Sequence, residues 1–344
     1  MSSPSLVRSG WWVVAVAVVL SVVVLVAWLL APRDTPPRLE VDNIALEPCL
    51  VEPDEIVRAM ARDGLVALTD PAVMTPTEVD LANEAERGKL LVPDDLVVGV
   101  ALGGEARAYP LRLLRWHEAV NDTLGGRAVA VTSSPLAGSV AVWDRDLGDR
   151  TIELAVSGML LDSTSLLYDR HHGQGPASLW HQLSGEAVAG PAAGRRLSPL
   201  PASLATWGSW RRDHPDTTVM APDPASKQLY KRDPYHSYRG SEVLRFPVDP
   251  LPPAGPLGLK DRVAVVTAGG RDKAFALPLL EVAVGALRGT WAAELDHEVF
   301  LVHFDAVTGA ISVSPYDPAE PAPPVRYASW FAWYALHPGT VAYP

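Results

Sequence analysis

Thiols are nearly absent from this chain. Its one cysteine, Cys49, excludes an internal disulfide and any Cys-x-x-Cys pair. Basic residues are outnumbered: 29 Lys and Arg stand against 40 Asp and Glu, a formal net charge of −11 at pH 7. Nucleic-acid binding requires a basic face, so no nucleic-acid partner is expected, and the acidity serves solubility instead. Catalytic signatures are missing as well. Gly-x-Ser-x-Gly, a phosphate loop, a paired-glycine dinucleotide fingerprint and His-Glu-x-x-His do not occur. His171, His172 and His181 resemble a metal set, but adjacent side chains on a strand point to opposite faces, so no metal and no other cofactor is expected.

What is present is a globular composition. Of the 344 residues 48% are apolar and 11 are Trp, enough for one or two domains with a packed core. The 32 prolines point to many loops and few long helices. One run, Trp11 to Ala31, lacks charge altogether. At about 1.5 Å per residue it would span roughly 30 Å, the thickness of a hydrocarbon core. Trp11, Trp12 and Trp28 mark its two interfaces. The run is too long for a signal-peptide core and no Ala-x-Ala site follows, so an uncleaved signal anchor is expected over 11–31. Residues 1–10 would be a cytoplasmic tail and the C-terminal domain extracytoplasmic, a single-pass protein of the cell membrane.

Two stretches repeat each other. Asp95-Leu96-Val97-Val98, Gly103-Gly104-Glu105-Ala106-Arg107-Ala108-Tyr109 and Leu113-Leu114 return as Asp261-Arg262-Val263-Ala264, Gly269-Gly270-Arg271-Asp272-Lys273-Ala274-Phe275 and Leu279-Leu280. Trp207, Trp210, His214-Pro215 and Thr217 return as Trp330, Trp333, His337-Pro338 and Thr340, in the same order but over a shorter length. Like blocks usually bury one shared core. The expected fold class is therefore α+β: a β-rich single compact domain built from an internal duplication, preceded by one transmembrane helix. Its parts are a linker and N-terminal segment over 32–87, copy one over 88–220, an inter-repeat segment over 221–257 anchored by Tyr230, Tyr235, Tyr238 and Phe246, and a shortened copy two over 258–344. The repeat is also an internal control. What both copies keep serves the fold, and what one copy keeps is open to function.

Local signals fill in the elements. Ile56, Val57 and Met60 share one side of a helix predicted over 52–63, and Thr75 with Glu78 opens a second as a capping box. Gly103-Gly104 joins two strands as a hairpin. Pro110 starts a helix reaching about Val120, with Leu113, Trp116, His117 and Val120 on one stripe. Strands are predicted near 128–132, 140–143, 152–156, 165–168 and 217–220, and a helix over 203–213. Copy two should give a hairpin, a helix from about 278, strands near 299–304 and 311–313, and a helix carrying Trp330 and Trp333.

Several runs together resemble the bacterial DUF3179 family. They are Arg107-Ala108-Tyr109-Pro110-Leu111, Trp116-His117-Glu118, Val120-Asn121-Asp122, Val156-Ser157-Gly158-Met159-Leu160, Tyr168-Asp169-Arg170, Ser178-Leu179-Trp180-His181-Gln182, Gly185-Glu186-Ala187, Asp213-His214-Pro215-Asp216-Thr217 and Asp233-Pro234-Tyr235. The resemblance runs from about residue 50 to 344. It brings no established activity, and it implies a protein that is exported or anchored. One loop departs from the family pattern. Where the family reads Cys-Pro-Leu-Cys-Gly, this chain has Ser134-Pro135-Leu136-Ala137-Gly138. A thiol pair binds soft metals or exchanges disulfides, and serine with alanine does neither.

His117-Glu118 is the leading polar pair, since the positions in register in copy two are Ala283 and Val284. One reading makes it an acid/base or ligand pair beside the Ser134 loop, which is expected to lie next to His117. The other makes His117 a hydrogen-bonded core residue and pairs Glu118 with Arg115. Asp169 and Arg170 either line an anion pocket or form a turn with a salt bridge. Candidate catalytic residues are thus His117, Glu118, Asp169 and Arg170, and candidate ligand-binding residues are Ser134, Tyr168, Trp180 and His181. His214 and His337, before proline at helix ends in both copies, read as caps. The function expected is binding of a small ligand or protein partner in a DUF3179-type pocket without cysteine chemistry, by a membrane-anchored extracytoplasmic protein. The alternatives are a thiol-independent enzyme on His117, Glu118, Asp169 and Arg170, and a structural envelope component. Convergence of those four side chains in one cleft separates the readings.

Overall fold

In the computed structural model, which describes residues 43–85, 89–170 and 176–344, Gly103 and Gly104 supply the two positive φ values, 57° and 84°, that a two-residue hairpin turn needs. They join Leu96–Leu102 to Glu105–Pro110, with Leu102 opposite Glu105 and Val97 opposite Pro110. Gly269 and Gly270 do the same for Arg262–Ala268 and Arg271–Ala276. A short helix follows each hairpin, Leu111–His117 in the first block and Leu277–Val284 in the second. Three antiparallel strands come next: Ala119–Leu124, Arg127–Ser134 and Ser139–Asp144, then Arg288–Leu295, Glu298–Asp305 and Ala310–Pro315. Each block closes on a strand, a tryptophan helix and a short strand: Ser203–Thr206, Trp207–Asp213 and Thr218–Met220, then Val325–Ser329, Trp330–Leu336 and Ala342–Tyr343.

The blocks exchange parts. One large sheet sets the first block's three-strand meander beside the second block's hairpin and closing strands, and the other sheet does the reverse. The joints correspond: Val140 faces Tyr327 in one sheet, and Ile311 faces Leu204 in the other. So do the parallel pairs at the far side of each hairpin, Thr218–Met220 beside Glu105–Pro110 and Ala342–Tyr343 beside Arg271–Ala276.

Side chains alternate across a strand, so each sheet has two faces to cover. Val98, Val100, Val131, Phe275, Val302 and Tyr327 belong to one apolar cluster drawn from both sheets. On the opposite faces Val97, Ala108 and Val219 pack with Trp207 and Trp210, while Val263, Val265 and Ala274 pack with Trp330 and Trp333. Trp210 approaches its sheet so closely that a Cβ on Gly99 would stand 2.2 Å from the ring. Truncating such a buried tryptophan to alanine costs about 3–5 kcal/mol.

The first block is longer because it carries a third sheet. Leu154–Leu161, Thr164–Asp169, Leu179–His181 and Ala187–Ala189 pair in sequence order, with Val57–Arg58 at the edge. Asn121 ties it to the first block. This buried amide donates to the Leu154 carbonyl at 2.9 Å and accepts from the Leu154 N–H at 2.8 Å.

Several expectations are corrected here. The expected β-rich domain carries, among the described residues, only helices of ten residues or fewer. No helix among these residues is long and apolar enough to cross a membrane. The transmembrane helix expected at 11–31 lies outside the described residues, as do the 1–10 tail and His171 and His172. No helix forms over 52–63. Val57 and Arg58 pair with Leu160 and Met159, so sheet hydrogen bonding overrides a weak helical pattern. The helix after Pro110 stops at His117 because Glu118 turns left-handed (φ 55°), and Asn121-Asp122 lie within a strand instead of breaking a helix. Residues 203–206 form a strand ahead of the tryptophan helix. Arg288–Leu295 is an unpredicted strand, with one buried residue and hence little apolar patterning.

Candidate functional site

Glu118 is the first residue beyond the helix Leu111–His117, and its left-handed turn sends the chain into the next strand. Its side chain is buried, and burial pushes the carboxyl up to about 7, against the hydrogen bond from Ser165 that favours ionisation. The Ser165 hydroxyl donates to Glu118 at 2.7 Å and lies 3.0 Å from the Ser134 hydroxyl. Ser134 also accepts the Ser165 backbone N–H at 3.0 Å. Ser134, the first residue of the Ser-Pro-Leu-Ala-Gly loop, is thus held to a protonatable carboxyl through one serine of the third sheet. Ser165 was not singled out by sequence reasoning. It carries no motif, and only the third sheet brings it here.

His117 faces elsewhere. Its Nδ1 donates to the Val66 carbonyl at 2.7 Å and its Nε2 accepts from the Tyr230 hydroxyl at 2.5 Å. Burial lowers its pKa, which keeps the ring neutral for this tautomer. The Ser134 loop, expected beside His117, is linked to Glu118 instead. Arg115, expected to pair with Glu118, pairs with Asp233 at 2.7 Å.

The remaining candidates form two further clusters. The Tyr168 hydroxyl and the Arg170 guanidinium both donate to Asp63, at 2.8 Å and 3.3 Å. Asp169 accepts the Ser178 N–H at 2.6 Å and meets Arg150 at 3.1 Å. Ser165 and Asp169 are four residues apart on one strand, roughly 13 Å at about 3.3 Å per residue. Glu118 and Asp169 therefore do not share one reacting centre. Trp180 and His181 lie in the third sheet. His181 accepts the Ser184 N–H at 3.2 Å, and burial, with His337 nearby, holds its imidazole down to about 4. Among the described residues its Nε2 has no hydrogen-bond partner, nor do the indole nitrogens of Trp180 and Trp333. Among the described residues no group of His, Cys, Asp and Glu is arranged to hold a metal ion.

A cavity of about 230 Å³ is lined by Pro135, Leu136 and Gly138 of the same loop, by Tyr238 and Arg239 between the blocks, and by Lys260, Arg262 and Ser329 of the second block. Neither Ser134 nor Ala137 lines it. The Tyr238 hydroxyl donates to the Leu136 carbonyl at 2.9 Å and fixes the loop. Three cations share the wall. The Lys260 ammonium donates to the carbonyls of Tyr238 and Ser241, both at 2.6 Å, and of Val243 at 3.0 Å. Arg239 shares Asp233 with Arg115. Arg262 donates to the Gly309 carbonyl, and burial together with Arg115 and Arg239 pushes its guanidinium down to about 10. A single signal in the sequence marks this wall: Arg262 stands where the first block has Leu96.

Fold and site together define a class: a β-rich protein of two part-exchanged sheets, with a cation-walled cavity at a loop that has no thiols. Residues 63–340 match a family model described as "Protein of unknown function (DUF3179)", and the chain belongs to that family. No curated protein and no solved structure matches it.

Proposed function

We propose that the protein binds a small molecule in the cavity at the Pro135–Gly138 loop, without thiol chemistry. The observation that carries this reading is the cavity wall: Pro135, Leu136 and Gly138 of the loop share it with Arg239, Lys260 and Arg262 around an open volume of about 230 Å³. That volume lies just below the roughly 300–1,000 Å³ of drug-sized sites, which suits a small metabolite. Ser134 is engaged by Ser165, and Ala137 packs in the apolar cluster of Leu183 and Phe331, so neither side chain is open to the ligand. Native mass spectrometry of the full chain tests the reading. A bound species lost on denaturation is expected. A bare polypeptide, with no thermal stabilisation by any member of a metabolite panel, would count against it.

One observation favours a second reading, an enzyme whose acid/base group is Glu118. A buried carboxyl pushed up to about 7 is matched to proton transfer near neutral pH. His117, Asp169 and Arg170 take no part in this version. Glu118→Gln separates the two readings, because it would abolish turnover and leave binding in the cavity intact.

A further inference from the structure

The first block supplies a control for the cavity. Arg262 opens the second block's hairpin, and the residue in register in the first block is Leu96, partly buried against the main core. The architecture therefore accepts an apolar side chain at this point of the repeat, and the guanidinium is an addition to it. Arg262 is half-buried, and a cation even partly withdrawn from water ordinarily meets a carboxylate or a full set of acceptors. Arg145 has such a set: its guanidinium donates to the carbonyls of Val129, Ile152 and Asp122 at 3.0, 2.8 and 3.0 Å. Arg262 has neither. Among the described residues it forms no ion pair, its side-chain hydrogen bond goes to the Gly309 carbonyl, and it lines the cavity. The neighbouring cations are already engaged, Arg239 with Asp233 and Lys260 with three carbonyls, and they add positive charge to the same wall. Ser329 lines the same cavity.

We infer that the cavity takes a small oxyanion, a carboxylate or phosphate group, held by the Arg262 guanidinium. This rests on the ligand-binding reading above and names its ligand class. The planar fork of arginine matches two oxygens of either group at once. The wall's three cations outnumber the carboxylates beside them, Asp233 at Arg239 and Glu242 near Lys260, so the wall attracts an anion and repels a cation.

The test uses the full chain and two probes, inorganic phosphate and succinate, titrated separately by calorimetry with ionic strength held constant by sodium chloride. Saturable binding of at least one probe is expected, weakened about tenfold or more in Arg262→Leu, as befits loss of a charge-assisted hydrogen bond. Arg262→Lys, which keeps the charge and loses the fork, should weaken it less. Binding of phosphate alone assigns a phosphate ester as ligand, and binding of succinate alone assigns a carboxylate. Arg262→Leu should fold, since leucine occupies the equivalent position of the first block. If it does not, Arg239→Gln at the same wall replaces it, and unchanged binding in that variant overturns the inference. Binding of neither probe, or equal binding by Arg262→Leu and wild type, also overturns it. A neutral or cationic molecule in the native mass spectrum overturns the anion assignment and leaves the ligand-binding reading standing, whereas a cavity that takes no ligand of any charge removes both.

Discussion

The Ser165 hydroxyl donates a 2.7 Å hydrogen bond to the Glu118 carboxyl, joining the first block's helix end to the third sheet. It offsets only part of the cost of burying the charge, because the carboxyl is still pushed from 4.5 up to about 7. Between those values the folded chain holds a proton that the unfolded chain has released. Glu118 therefore favours the folded state fully below about pH 4.5, and that contribution is lost as pH rises through about 7. At about 1.4 kcal/mol per pH unit the loss is of the order of 3 kcal/mol. Glu118→Gln cannot ionise, so it should be more stable than wild type above pH 7 and lack this decline. Urea unfolding from pH 5 to 9 checks it, and parallel stability curves for the two proteins would refute it.

The tryptophan helices allow a prediction with its own control. The Trp210 and His214 rings lie 3.9 Å apart at 35°, and the Trp333 and His337 rings lie 4.0 Å apart at the same angle. Each helix ends in the same turn, Thr217 N–H to His214 and Thr340 N–H to His337. Among the described residues only the first has a partner for its indole: the Trp210 N–H donates to the Thr217 hydroxyl at 2.9 Å, whereas the Trp333 nitrogen has none. Thr217→Val strands a buried donor and should cost about 1–3 kcal/mol. Thr340→Val removes no such bond and should stay within about 0.5 kcal/mol of wild type. Equal losses in the two melting temperatures would show that the Trp210 bond adds nothing.

What the sequence disclosed was mostly local. Glycine pairs are nearly sufficient for a tight hairpin, and both hairpins fall where they stand. Thr75 and Glu78 form their reciprocal cap, Thr75 N–H to the Glu78 carboxylate at 2.6 Å and Glu78 N–H to the Thr75 hydroxyl at 3.3 Å. The exchange of strands between blocks was hidden, because it rests on pairs such as Val140 with Tyr327 that no local pattern specifies. At the site, comparing the two blocks drew attention to His117-Glu118, but His117 serves Val66 and Tyr230, which lie outside both repeats. The same comparison contains Arg262 against Leu96. That difference gains meaning only once Tyr238 and the Ser134 loop are folded against it.

His181 should make the protein sensitive to mild acid. Burial lowers its imidazole from 6.5 to about 4, so the unfolded chain gains a proton over that range and the folded chain does not. Stability contributed by neutral His181 is present above about pH 6.5 and is lost progressively as pH falls toward 4. His181→Gln should flatten this acid limb relative to wild type in melting curves recorded from pH 7 to 4. Because the Glu118 effect runs in the opposite direction over part of the range, the comparison belongs in a Glu118→Gln background.

A thiol placed at position 134 should not be reactive. Ser134 is fully buried, fixed by the Ser165 N–H, and linked through the Ser165 hydroxyl to the Glu118 carboxyl. Reactive cysteines are partly exposed and have a cation or helix N-terminus to stabilise the thiolate, and burial next to a carboxyl acts the other way. The cations of this region line the cavity, which Ser134 does not reach. In Ser134→Cys the new thiol should therefore stay protonated and shielded. Ellman's reagent on the native variant should give the same thiol signal as wild type, whose only source is Cys49. In guanidinium chloride the variant should give twice the wild-type signal. Rapid reaction of a second thiol in the native state would mean that the loop opens to solvent or that a cation reaches position 134, and the separation drawn here between the buried serine pair and the cavity would fail.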